Sequence, residues 1–110
     1  MSDVVIENKE ECMTVFLKGE IDHHTARGLR ESIDNAIDRA RPKRLYLDMS
    51  GVTFMDSSGI GLIMGRYRLV QSIKGTLRVV GMSEYIGRLV RLAGLDKLPI
   101  YEENRKEETK

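Results

Sequence analysis

The stretch FMDSSGIGLIMGRY, residues 54–67, decides how the rest of the chain is read. An acid and two hydroxyls precede an apolar run in which Gly59, Gly61 and Gly65 fall within seven residues. Glycine in a helix interior costs about 1 kcal/mol relative to alanine. Ile60, Ile63, Met64, Tyr67 and Val70 nonetheless recur at steps of three and four. That period predicts a helix over residues 57–72, closed near Gly75, with those five side chains inward. Gly61 and Gly65 lie one turn apart on another face, with Leu62 as an exposed leucine beside them. Two readings of this smooth face stay open. Small residues let the helix lie close to the sheet or to a neighbouring helix, or they form a docking surface where another protein's backbone comes close.

Asp56, Ser57 and Ser58 sit where the helix begins, at unpaired N–H groups and the positive end of the dipole. Asp56 or one of the serines is expected to be the N-cap. A cap needs one such residue, and this loop supplies three in a row. A hydroxyl there is within reach of a kinase, and a helix N-terminus accommodates a phosphate. Phosphorylation adds about −1.5 to −2 charges. On a docking face without matching cations, one modified residue switches an interface without moving the backbone.

Outward from this stretch the pattern alternates between strands and helices. Residues 4–8 and 12–18 read as strands joined by a charged turn, with Gly19 ending the second. Phe16 breaks its polar/apolar alternation and suggests cover on both faces. Over residues 24–41, Ala26, Leu29, Ile33, Ala36, Ile37 and Ala40 form an inward helical stripe. Arg30, Glu31, Asp34, Asp38 and Arg39 make its solvated face, and Pro42 stops it. Residues 45–49 are a central strand, after which Gly51 begins a turn. Residues 76–80 are another strand. Ser83 and Glu84 open a third helix with Ile86, Leu89, Val90 and Ala93 inward, ending at Gly94. Residues 98–101 read as a short last strand or edge, and the charged tail 102–110 is expected to fray. The order is β-β-α-β-α-β-α with a final extended piece, an α/β domain with a mixed sheet.

Composition narrows the function. A chain of 110 residues is expected to be one domain, 1–110, and 41% hydrophobic with 32% charged residues is ordinary for a soluble protein. Eighteen basic against 17 acidic residues leave a formal charge of +1, which argues against nucleic-acid binding. Cys12 is the only cysteine, read as a small buried apolar group, so no intrachain disulfide forms. No apolar run reaches the ~20 residues of a membrane span. The first residues carry no signal pattern, and a cytoplasmic protein is the expectation. His23 and His24 have no third ligand at metal spacing, so no metal is expected. Arg66, Arg68, Arg88 and Arg91 read as scattered and solvated, with contact to an acidic partner as the alternative. Tyr46, Tyr67 and Tyr85 read as core or half-core, with Met55 and Met64 beneath the second helix. An enzyme built on Asp56 and Ser57 would need His23 or His24 as base, and neither a G-x-S-x-G elbow nor a Walker loop is present.

GEIDHHTA, residues 19–26, taken with FMDSSGIGLIMGRY, resembles the anti-sigma factor antagonists of the bacterial sporulation type, in the STAS domain family. The likeness covers residues 4 to about 101. It implies a STAS-type mixed sheet of four to five strands with helices packed against it. It implies an antagonist with no cofactor and no catalysis of its own. In its unphosphorylated form such a protein binds an anti-sigma factor that is also an ATP- or ADP-bound serine kinase, and this frees the sigma factor. The kinase phosphorylates the serine after the aspartate, here Ser57, and the complex parts. A PP2C-type serine phosphatase restores the active form. Asp22, His23, Asp56, Ser58, Gly59, Gly61, Leu62 and Gly65 fall on the partner surface by this resemblance. The DHHT loop resembles the sporulation antagonist more than the general-stress antagonist, which stays as the alternative, together with a STAS module of a larger signalling complex.

Overall fold

Burial alternates along the second strand: Met13, Val15 and Leu17 are buried, and Thr14, Phe16 and Lys18 are not. In the computed structural model, which describes residues 2–100, the elements are β1 (Ser2–Lys9), β2 (Cys12–Ile21), α1 (Ala26–Ala40), β3 (Arg44–Met55), α2 (Ser57–Ser72), β4 (Thr76–Val80) and α3 (Glu84–Leu92). A short 3-10 helix, Leu95–Lys97, follows. The sheet order is β1-β2-β3-β4, with β1 antiparallel to β2 and the other pairs parallel. The two parallel pairings are each joined by a helix crossover, as parallel strands require.

Register places the buried residues of the strands on one face. Met13 pairs with Leu45 and Leu45 with Leu77; Val15 pairs with Leu47 and Leu47 with Val79. Leu29, Ile33 and Ile37 of α1, Leu62, Ile63 and Val70 of α2, and Ile86 and Val90 of α3 join the same core. On the other face Thr14, Phe16, Tyr46 and Asp48 are half-buried, so Phe16 does not mark a fully covered strand. No described helix is long and apolar enough to cross a membrane.

Several boundaries differ from the expectation, each for a local reason. Gly19 does not end β2. It adopts φ 89° inside the strand, between two register shifts against β3. Gly51 likewise begins no turn. A Cβ there would lie 2.8 Å from Lys18 Cγ and 3.0 Å from the Leu17 carbonyl oxygen, so glycine lets the bulged strands stay together and β3 runs on to Met55. Residues 98–100 form no strand; Ile100 is fully buried and accepts a bond at its carbonyl from Val79 N at 2.7 Å. The sheet of the described residues therefore has four strands. Tyr101 and the tail 102–110 lie outside the described residues.

Side-chain placements shift as well. Ala40 and Ala93 are exposed rather than inward, Ala40 as the last residue of α1 and Ala93 as the residue just after α3. Tyr85 is 45% exposed, with its hydroxyl donating to the Met55 carbonyl at 2.9 Å. Cys12 is only half-buried, since it opens β2 beside the β1–β2 turn.

The glycines of α2 separate by environment. A Cβ on Gly59 would meet Met55 Cγ at 2.2 Å and Sδ at 2.4 Å, and Met55 is fully buried. Gly61 and Gly65 have nothing within 4 Å of the same position. Gly59→Ala is expected to lower stability by about 1–3 kcal/mol through overpacking. Gly61→Ala is expected to raise it by about 0.5–1 kcal/mol through helix propensity. Urea unfolding of the two variants checks this, and a Gly59→Ala chain as stable as wild type contradicts the packing account.

Candidate functional site

Parallel pairing puts the C-terminal ends of β2 and β3 side by side, with Ile21 opposite Met55. The loops that leave them are tied together where Asp56 N donates to the Ile21 carbonyl at 3.2 Å. Residues 22–25 and 56–58 thus share one edge of the sheet, the edge at which open parallel sheets bind ligands.

The first loop is held by Asp22. Its Oδ1 accepts from His24 N at 2.9 Å and from Thr25 N at 3.0 Å. Thr25 Oγ1 donates to the Glu20 carbonyl at 3.0 Å and accepts from Asp22 N at 3.0 Å. This Asx-type turn starts α1 and needs a short acid followed by a hydroxyl at the observed spacing. The Thr25 backbone N–H is the main cause that lowers the Asp22 pKa below its ordinary value, opposed by partial loss of water and aided by His24. Asp22 therefore shapes the loop, while the rings of His23 and His24 stand exposed with centroids 4.0 Å apart.

The second loop divides its three polar residues. Asp56 is the N-cap of α2, its side chain accepting from Ser58 N at 2.8 Å and its carbonyl accepting from Gly59 N at 2.9 Å. Ser57, the first helical residue, is exposed, and its hydroxyl makes no hydrogen bond among the described residues. Ser58 is half-buried and turned toward α1. Cap and free hydroxyl are thus separate residues.

Between α1 and α2 lies a cleft of about 540 Å³, lined by His23, Ala26, Arg27, Arg30, Ser58, Gly61, Leu62, Gly65 and Arg66. A Cβ at Gly61 or Gly65 would meet nothing within 4 Å, so this face of α2 is open and not closely packed on a neighbouring element. Leu62 is 4% exposed, so it belongs to the core edge and is not the exposed leucine anticipated. The buried stripe of α2 is Gly59, Leu62, Ile63, Arg66 and Val70, rotated from the expected one, with Ile60, Met64 and Tyr67 only half-buried. A run apolar on most faces leaves the phase of a helix undetermined by periodicity.

That rotation corrects two charged residues. Arg66 is not a solvated arginine: it is 6% exposed. Asp34 is not on a free face: its Oδ1 lies 2.9 Å from Arg66 Nε. The signal was an arginine at a position continuing the spacing of Leu62 and Ile63. Asp22, His23, Asp56, Ser58, Gly61, Leu62 and Gly65 gather along this edge and cleft, whereas Gly59 faces Met55 in the interior.

A four-stranded mixed sheet with three helices packed against it is the architecture of one family. Residues 3–107 match the STAS domain, and the chain belongs to the STAS domain family. It is 37% identical over 100 residues to the anti-sigma F factor antagonist of Paenibacillus polymyxa, covering 90% of this chain and 86% of that protein. It is 31% identical over 93 residues to the anti-sigma-B factor antagonist of Bacillus subtilis (strain 168), covering 84% of each. The solved anti-sigma factor antagonist SpoIIAA in its unphosphorylated form superposes with a TM-score of 0.81 at 28% identity, over 97% of this chain and 92% of that one. The Bacillus cell fate determinant SpoIIAA in the phosphorylated form gives 0.74 at 28% identity, over 97% and 96%.

The Asp22 turn makes a pH prediction. A lowered folded-state pKa means the carboxylate's contribution to the loop is complete above the ordinary value of 3.8 and is lost only as pH falls through the depressed one. A carbon-detected NMR titration is expected to place the Asp22 midpoint below 3.8. A midpoint at or above that value contradicts the two N–H bonds described.

Proposed function

We propose that this protein is a cytoplasmic anti-sigma factor antagonist of the sporulation type, a binding protein gated by phosphorylation of Ser57. One observation carries the reading: Asp56 takes the cap, so the Ser57 hydroxyl stands free and exposed beside the open α1–α2 cleft. The name of the Paenibacillus polymyxa relative and the two phosphorylation forms of the SpoIIAA structures support it.

In this reading the unmodified chain presents His23, Ser58, Gly61, Leu62 and Gly65 to an anti-sigma factor that is also a serine kinase. Docking displaces the sigma factor. The kinase then transfers the γ-phosphoryl group of ATP to Ser57 Oγ; the hydroxyl proton leaves and ADP is released. The new dianion sits next to the Asp56 carboxylate, which already occupies Ser58 N–H. The helix dipole offsets about 0.3–1 kcal/mol of this charge. The rest falls on the partner's surface, where desolvating an unpaired charge is costly, and the complex parts. Hydrolysis by a PP2C-type phosphatase, with water as acceptor, returns the free hydroxyl and inorganic phosphate. In this reading the chain is a binding protein, and the phosphoryl chemistry belongs to the kinase and the phosphatase.

A general-stress circuit is the second reading, favoured by the likeness to the anti-sigma-B factor antagonist. Parallel binding to anti-sigma F and anti-sigma B factors separates the two, with the sporulation reading expecting the tighter complex with the former.

Incubation with the anti-sigma F factor of Paenibacillus polymyxa and ATP, followed by phosphosite mapping, is expected to find phosphate on Ser57. Ser57→Ala is expected to bind the same factor, take no phosphate and stay bound. Phosphate on Ser58 or Thr53 alone, or release of the alanine variant by ATP, contradicts the assignment.

A further inference from the structure

The cleft carries more positive charge than its neighbours neutralise. Arg27 and Arg30 reach it from α1 and Arg66 from α2. Arg27 is partnered at the surface by Glu31, Nε to Oε2 3.5 Å. Arg30 makes no ion pair among the described residues. Arg66 is 6% exposed, and its charge contact with Asp34 at 2.9 Å lacks hydrogen-bond alignment. Its Nη1 is buried with no acceptor at all. Buried guanidinium N–H groups without acceptors are costly, and a missing ligand is one explanation such groups demand. Burial pushes the Arg66 pKa down, Asp34 opposes this, and Arg30 adds to it. Asp34 is thus a partial counter-charge, with Arg30 beside the same guanidinium unneutralised.

We propose that the α1–α2 cleft receives a carboxylate side chain, Glu or Asp, from the anti-sigma factor, held by the guanidinium of Arg66, which lines the cleft, and by Arg30 at the rim. The inference rests on the reading of this edge as the docking surface and specifies what is recognised there. Guanidinium groups match carboxylates in geometry and charge. Asp34 offsets only part of the positive charge, and a carboxylate from the partner offsets more of it. The other walls, Ala26, Leu62 and the bare backbone at Gly61 and Gly65, suit the hydrocarbon stem and main chain of an acidic residue. A cleft of about 540 Å³ holds such a segment, whereas an isolated inorganic ion leaves most of it unfilled.

The test begins with the chain alone. Arginine Nε–Hε resonances are followed by NMR while glutarate, inorganic phosphate or sodium chloride is added at matched ionic strength. Glutarate is expected to shift Arg66 saturably. Arg30→Gln, an exposed rim change, is expected to raise the half-saturation point about fivefold, and Asp34→Asn to lower it about fivefold. A purely structural Arg66 predicts no gain from Asp34→Asn. The anti-sigma F factor of Paenibacillus polymyxa is expected to displace glutarate on binding. The proposal is overturned by a linear drift equal to that in chloride, by phosphate saturating at lower concentration than glutarate, or by an anti-sigma factor that binds while glutarate stays on Arg66. None of these results touches the phosphorylation of Ser57. A chain that binds glutarate but is never phosphorylated or bound by the factor fails the proposed function instead.

Discussion

Pairing of Ile21 with Met55 at the ends of two parallel strands is the constraint on which the site depends. It fixes the β2–α1 and β3–α2 loops at one edge, and the bond from Asp56 N to the Ile21 carbonyl joins them. The pairing survives two register shifts only because Gly19 takes a left-handed conformation and Gly51 lacks a side chain where β3 crosses Lys18.

From that edge the start of α2 assigns one task to each residue. Asp56 satisfies the helix N-terminus, Ser57 is left with a free hydroxyl, and Ser58 turns into the cleft. The glycines divide in the same way. Gly59 accommodates Met55 and sets how closely α2 lies on β3, whereas Gly61 and Gly65 keep the cleft open at a cost in helix stability. Behind the serines one glycine serves packing and two leave an opening. Arg66 ties the far end of the cleft to α1 through Asp34.

Much of this was legible in the sequence. The bounds of α2 and β4, the N-cap serine of α3 and the order of elements follow from period and capping residues alone. The polar triplet and the DHHT loop mark the edge by residue type. What was not legible depends on tertiary register. The bulges at Gly19 and Gly51 look like strand ends in one dimension. The phase of α2 is hidden because Ile60, Leu62, Ile63 and Met64 are apolar on adjacent positions. A slip of about one residue moved Leu62 inward and buried Arg66. Asp34 looked solvated because its partner lies on another helix, 32 positions along the chain.

In the proposed function, one exposed hydroxyl at a helix start gates the neighbouring face. Titration calorimetry of the anti-sigma factor against the unmodified chain and against the chain phosphorylated stoichiometrically on Ser57 measures this gate directly. Binding of the phosphorylated form is expected to be at least about tenfold weaker, about 1.4 kcal/mol. Equal affinity of the two forms contradicts it.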